Sequence, residues 1–146
     1  MKQLTLLFLC FAALSCAQET KTHELKAESI TYTSKEVDQM AIFEGCDLYP
    51  TTQENVTCFS NKMNQIFIQF FKTKFDVTTL PKGVVKITYV IGKDGKLKDF
   101  KGQGNEELIP YALEVFEEIN QTISFQPATK NGVSVDVKFA MPIKNE

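Results

Sequence analysis

The chain has 146 residues, with 16 lysines, no arginine and a formal net charge of −2 at pH 7. Proteins that bind nucleic acid usually present a basic face and use arginine for base or phosphate contacts, so the composition argues against a nucleic-acid partner. The length fits a single packed domain behind a short leader.

The first residues have the pattern of an export leader. Met1-Lys2 precedes an apolar run over residues 4–14, which is short for a bilayer span and typical of a secretory signal. The run ends at Leu14-Ser15-Cys16-Ala17, which is similar to the lipobox of bacterial lipoproteins. We predict a signal peptide over 1–15 and lipidation of Cys16. Cleavage near Ala17 with loss of Cys16, or an uncleaved anchor, are the alternatives.

Residues 16–40 are polar and charged, and only Ser29–Thr33 has the character of a short strand. We expect a flexible tether there, followed by one domain over 41–146. Cleavage of the leader leaves fifteen lysines against eighteen acidic residues, a net charge of about −3.

Export changes how the remaining cysteines are interpreted. Cys46 and Cys58 are the two that remain in an oxidising compartment, which favours a disulfide between them. A metal site is the weaker interpretation, because no histidine lies near either residue.

The elements of the domain follow in a readable order. An apolar stripe predicts a helix over about 57–72, and Gly92–Lys96 predicts a hairpin turn between a strand from Val85 to Ile91 and a return strand from Leu97. A second helix follows Asn105, and Asn131-Gly132 leads into the last strand. The first helix carries its stripe on Phe59, Met63, Ile66, Phe67, Phe70 and Phe71.

This order predicts a two-layer α+β domain, helix-strand-strand-helix-strand, with a three-stranded antiparallel sheet and two helices on one face. The last strand alternates apolar and polar residues and has no later element to pair with, so it is a candidate edge for another chain. The alternative is that it closes the sheet as an ordinary last strand. The predicted binding strand comprises Val133, Ser134, Val135, Asp136, Val137, Lys138, Phe139, Ala140, Met141 and Ile143.

Three segments resemble the TonB C-terminal domain family, in its Bacteroidetes form. Residues 83–97 look like its first hairpin, 125–128 with 132–135 and 141–143 look like its closing segment, and the pair Cys46 and Cys58 is similar to a cysteine pair of that branch. The resemblance implies a periplasmic module that adds an extended peptide of an outer-membrane TonB-dependent transporter, or of a related envelope protein, to its last strand. It implies neither a cofactor nor a metal.

The chain also differs from a full transducer of that family. Its spacer is about 25 residues long and contains no proline. These differences favour a membrane-anchored binding module in the periplasm; a structural or regulatory lipoprotein that binds another partner, or competes with the transducer, is the alternative. The sequence does not specify which membrane holds the anchor or the oligomeric state.

An enzyme is not expected. The only histidine, His23, lies in the tether, so the domain lacks the histidine on which a Ser–His–Asp or Cys–His set depends.

Overall fold

A computed structural model describes residues 30–47 and 52–146 of the protein. The predicted signal peptide, Cys16 and His23 lie outside the described residues. The elements, in chain order, are β1 (Thr31–Thr33), α1 (Thr52–Lys74), β2 (Gly83–Ile91), β3 (Leu97–Gly104), α2 (Ile109–Thr122), β4 (Ala128–Lys130) and β5 (Val133–Asn145). Neither of these helices is both long and apolar enough to cross a membrane.

The α+β class is confirmed, but the three-stranded antiparallel sheet is wrong. Strands β1, β5, β2 and β3 lie side by side in that order, and β4 pairs with β5 as a fifth strand. The β2–β3 and β2–β5 pairs are antiparallel, whereas β1 runs parallel to β5. The possible short strand at Ser29–Thr33 is present as β1, but it belongs to the sheet and not to the predicted tether. Sequence patterns missed β4 because it has only three residues, too few to show an alternation.

The β2–β5 ladder is the centre of the fold. Its register runs without a break from Gly83 opposite Asn145 to Ile91 opposite Val137. One face of this ladder is covered by both helices. Its buried residues are Val85, Ile87, Tyr89, Ile91, Val137, Met141 and Ile143.

Aromatic contacts join the two helices to that face. Phe59 of α1 stacks on Phe139 of β5 with ring centroids 5.0 Å apart, and Phe116 of α2 lies 5.0 Å from Tyr89 of β2. Phe67 of α1 also contacts Phe116 at 5.5 Å, so the helices pack on each other as well as on the sheet. Burial in this cluster raises the pKa of the Tyr89 phenol.

Both helices differ slightly from their predicted limits. Helix α1 begins at Thr52 rather than near residue 57. The prediction placed the start too late because the first residues of the helix are mainly polar and carry no apolar stripe. Before α2, the Asn105 side-chain carbonyl accepts the backbone N–H groups of Glu107 (2.9 Å) and Leu108 (3.3 Å). This cap stabilises a turn, and the helix itself starts four residues later, at Ile109.

Ordered structure begins before the predicted boundary at residue 41. Tyr32 of β1 pairs with the last strand, and Met40 is only 2% exposed. The backbone of Gln39 exchanges hydrogen bonds with Thr129 of β4. Part of the predicted tether therefore belongs to the domain.

The structure places Cys46 and Cys58 at disulfide distance, with 2.07 Å between the sulfur atoms. Cys46 is fully buried beside Phe43, and Cys58 lies in α1 next to Phe59. The bridge therefore ties the segment that enters the core to the start of α1.

Replacing both Cys46 and Cys58 with alanine should lower the free energy of unfolding by about 3 kcal/mol, because the bridge closes a short loop and restricts the unfolded chain. Urea unfolding of the variant and of the wild-type protein measures this difference. Reduced wild-type protein is the control and should unfold like the variant. Full thiol labelling of both cysteines in oxidised, unfolded wild-type protein would contradict the bridge.

Candidate functional site

The predicted binding strand divides into a covered half and an open half. Residues 133–135 pair with β4, through a two-residue turn in which Asn131 and Gly132 have φ of 50° and 76°. Residues 136–138 pair with β1. The expectation of an unpaired edge is therefore wrong for Asp136, Val137 and Lys138, because β1 lies on their outward side. Val133, Ser134 and Val135 pair with β4, and by the alternation along β5 that pairing is on the β2 side.

From Phe139 to Asn145, β5 pairs with β2 on one side only; on its other side no strand of the described chain lies against it. We call this outward side of residues 139–145 the open edge. It contains Phe139, Ala140, Met141 and Ile143 of the predicted strand, and it extends two residues beyond that prediction.

The hydrogen-bond pattern defines which groups the open edge presents. The Val84 carbonyl accepts the N–H of Asn105 at the end of β3, so the polar groups of Val84 point toward β3. The backbone direction alternates along a strand, so Val85 points the other way, toward its partner Ile143 in β5.

The same alternation continues along β5. Met141 and Ile143 direct their backbone groups toward β2, whereas Ala140, Pro142 and Lys144 direct theirs away from it. Proline has no N–H, so Pro142 occupies a position at which no bond of the β2–β5 ladder is lost. The open edge therefore presents three carbonyl groups and two N–H groups.

A groove runs between α1 and the open edge. It consists of two cavities of about 400 Å³ and about 280 Å³, and Asn64 and Pro142 line both of them. The larger cavity is also lined by Phe67, Ile68, Phe71, Lys72, Val77, Ile143, Lys144 and Asn145, and the smaller by Ser60, Asn61, Met63, Tyr89, Phe139, Ala140 and Met141.

The groove is apolar at its base and carries no acidic lining residue. Phe67 and Phe71 are buried, while Ile68 is 43% exposed. Lys72 and Lys144 lie at the rim, and Lys144 also contacts the carboxylate of Glu146. An extended peptide on the open edge could place every second side chain against this apolar base.

The far end of the open edge is held by Asn145. Its buried side-chain amide donates to the carbonyl groups of Val77, Leu80 and Pro81, at 3.2, 3.3 and 3.1 Å. These bonds fix the end of β5 to the connection between α1 and β2. Val77 of this connection and Asn145 both line the larger cavity of the groove.

Asp136 differs from the exposed residue that the alternating pattern predicts. It is 3% exposed, one carboxylate oxygen accepts the N–H of Lys93 (2.8 Å), and the other accepts Lys98 Nζ (2.6 Å). Bonding to the carboxylate raises the pKa of Lys98 above its usual 10.5. Asp136 therefore joins β5 to the β2–β3 hairpin, and its substitution tests stability rather than binding.

The opposite edge of the sheet, strand β3, is protected from pairing with another chain. The register of β3 with β2 shifts between Thr88 and Val90, and Asp99 at this irregularity has φ of 55°. A bulge of this kind, flanked by Lys98 and Lys101, discourages pairing with another strand. The open edge of β5 has no such irregularity.

Asn64, Ile68, Pro142, Lys144 and Asn145 are site residues that the sequence analysis did not select. Ile68 carried a usable signal, since it is a large apolar residue that falls outside the stripe of α1. The others gave none, because which side of a strand is covered depends on the distant β1.

In residues 30–47 and 52–146, no three His, Cys, Asp or Glu side chains are grouped to hold a metal ion. No protein-family profile, curated protein or solved structure matches the chain. Functional conclusions therefore depend on the open edge and its groove.

Replacing Asp136 with asparagine should destabilise the fold by about 1.5–3 kcal/mol, because it removes a charge-assisted bond to Lys98. The matched control is Asp99→Asn, an exposed neighbour that tolerates asparagine at positive φ and should change stability little. Chemical unfolding of both variants gives the comparison. Equal stability of the two variants would contradict a structural role for Asp136.

The same pair predicts a pH dependence. A raised lysine pKa stabilises the folded state while the lysine is protonated, so the contribution is complete below pH of about 10.5 and is lost as the pH rises through the higher folded-state pKa. The stability difference between wild type and Asp136→Asn should therefore shrink as the pH rises through this alkaline range.

Proposed function

We propose that this protein binds an extended peptide segment of another protein by strand addition to the open edge of β5. The observation that carries the proposal is the coincidence of an unpaired edge with an apolar groove beside it. Backbone hydrogen bonds to Ala140, Pro142 and Lys144 supply affinity, and side chains that enter the groove supply selectivity.

The chain itself gives a precedent for this binding mode. Strand β1 already pairs with the same side of β5, at residues 136–138, immediately before the open edge begins. The edge is therefore suited to accept a strand, and the protected edge on β3 leaves it as the favoured place for one among the described residues.

The resemblance of the sequence to the TonB C-terminal domain family supports a class of partner. We propose an outer-membrane TonB-dependent transporter, or a related envelope protein, and a TonB-like role in transport across that membrane. No catalytic role is proposed. The binding of another envelope protein, with a structural or regulatory role, is the other outcome that the experiments below can reveal.

The leader sequence supports a location. We propose that the mature protein is anchored in the periplasm by lipid on Cys16. The polar residues between Cys16 and Ile30 then separate the anchor from the domain.

Proline at Ala140 or at Lys144 should weaken binding of the partner about 5- to 150-fold, because each removes an outward N–H and leaves a partner carbonyl unpaired. The strand should persist, since Pro142 already occupies an equivalent position. Detergent-purified exported protein is used to capture proteins from outer-membrane extract, and the captured transporter is quantified by mass spectrometry.

Matched controls keep the N–H and change only the side chain. Ala140→Val and Lys144→Gln should bind within about twofold of wild type, with folding checked by circular dichroism. If the folded proline variants retain the partner, or if Ala140→Val loses it equally, strand addition at the open edge is wrong.

Cys16→Ser should move the protein from the membrane fraction to the soluble periplasmic fraction, because the lipid attaches to the cysteine sulfur. Fractionation followed by immunoblotting measures the change. Cys10→Ser, within the apolar run of the leader, is the control and should leave the distribution unchanged. Membrane association that survives Cys16→Ser would exclude this anchor.

A further inference from the structure

Pro142 lies at the centre of the open edge and changes what the edge can pair with. Ala140 and Lys144 each present an outward N–H and an outward carbonyl, but Pro142 presents a carbonyl alone. Pro142 is exposed and is among the residues that line both cavities of the groove. Any strand added along the open edge therefore lies opposite a position that has no N–H to donate.

Other copies of the same chain are present in every solution of this protein, so they are the first strands that could pair with the open edge. A two-fold axis would pair two open edges antiparallel, and the greatest overlap places Pro142 opposite its own copy and Ala140 opposite Lys144 of the copy. Residues in such outward positions exchange two N–H···O bonds per pair. The central pair of prolines would exchange none, and two carbonyl groups would be left without donors.

Other registers do not avoid the loss. A shift by two residues, in one direction or the other, places Pro142 opposite Ala140 or Lys144 of the copy, so each of these pairs forms one bond instead of two. A larger shift brings residues 136–138, which β1 already covers, into the interface, or in the opposite direction leaves Lys144 as the one outward residue of the open edge that is paired. Self-pairing is therefore penalised wherever more than one outward residue takes part.

We propose that Pro142 is a specificity-determining residue that bars a second copy of this chain and keeps the open edge for a strand of a different protein. The inference rests on the proposed function, in which that edge binds a partner. A partner strand of another protein brings no second proline to this position, so only the one partner carbonyl opposite Pro142 is left without a donor, instead of two. The fitting partner is an extended segment with apolar side chains toward the groove.

The test restores the donor. Pro142→Val should associate with itself at least about tenfold more tightly than wild type, since the central pair regains both hydrogen bonds. Sedimentation velocity over a range of concentrations measures association of the full exported protein, purified in detergent. Lys86→Val is the matched control, because Lys86 is exposed on β2 directly opposite Pro142, so it adds the same side chain beside Pro142 but leaves the open edge unchanged, and it should behave as wild type.

Amide hydrogen exchange identifies the interface. In Pro142→Val, the amides of Ala140, Lys144 and the substituted position between them should become protected as the concentration rises, whereas those of β3 should not. The inference is overturned if Pro142→Val associates no more than wild type, if Lys86→Val associates as tightly as Pro142→Val, or if protection appears elsewhere. Partner capture by the Ala140→Pro and Lys144→Pro variants is read separately, so failure of this inference and failure of the proposed function are distinguishable.

Discussion

The uninterrupted pairing of β2 with β5 is the constraint on which the rest of the structure depends. Nine consecutive residue pairs, from Gly83–Asn145 to Ile91–Val137, bring the end of the chain into the middle of the sheet. This register orients Met141 and Ile143 into the core and, by the same alternation, turns the backbone groups of Ala140, Pro142 and Lys144 outward. The buried face and the open edge are therefore two results of one register.

The sequence predicted the long elements, in which apolar residues recur with a regular period. The stripe of α1, the β2–β3 hairpin, α2 and the alternation of β5 all appear near their expected positions, because burial of an amphipathic element leaves a clear pattern. The pairing of Cys46 with Cys58 was predicted from the expected export and from elimination of the other cysteines. Beyond these, the α+β class was accessible but the number of strands was not.

The candidate site was predictable in location and not in extent. Alternation identified β5, yet it does not report which side of a strand is covered. That depends on Thr31–Thr33 and Ala128–Lys130, whose pairing with β5 is set by tertiary contacts. Asp136 illustrates a second limit, since a polar residue at an outward position was expected to be exposed, whereas Lys98 and the hairpin backbone bury it.

The parallel strand β1 also sets a length. It ends at Thr33, opposite Lys138, directly beside the first residue of the open edge. The other end is fixed by Asn145, so the open edge spans seven residues of β5, or about 23 Å at the usual rise of a strand. A strand added along the open edge would meet β1 at one end and the α1–β2 connection at the other. A strand added to the open edge would therefore be limited to about this length, and a longer segment would have to bend out of the plane of the sheet or displace β1.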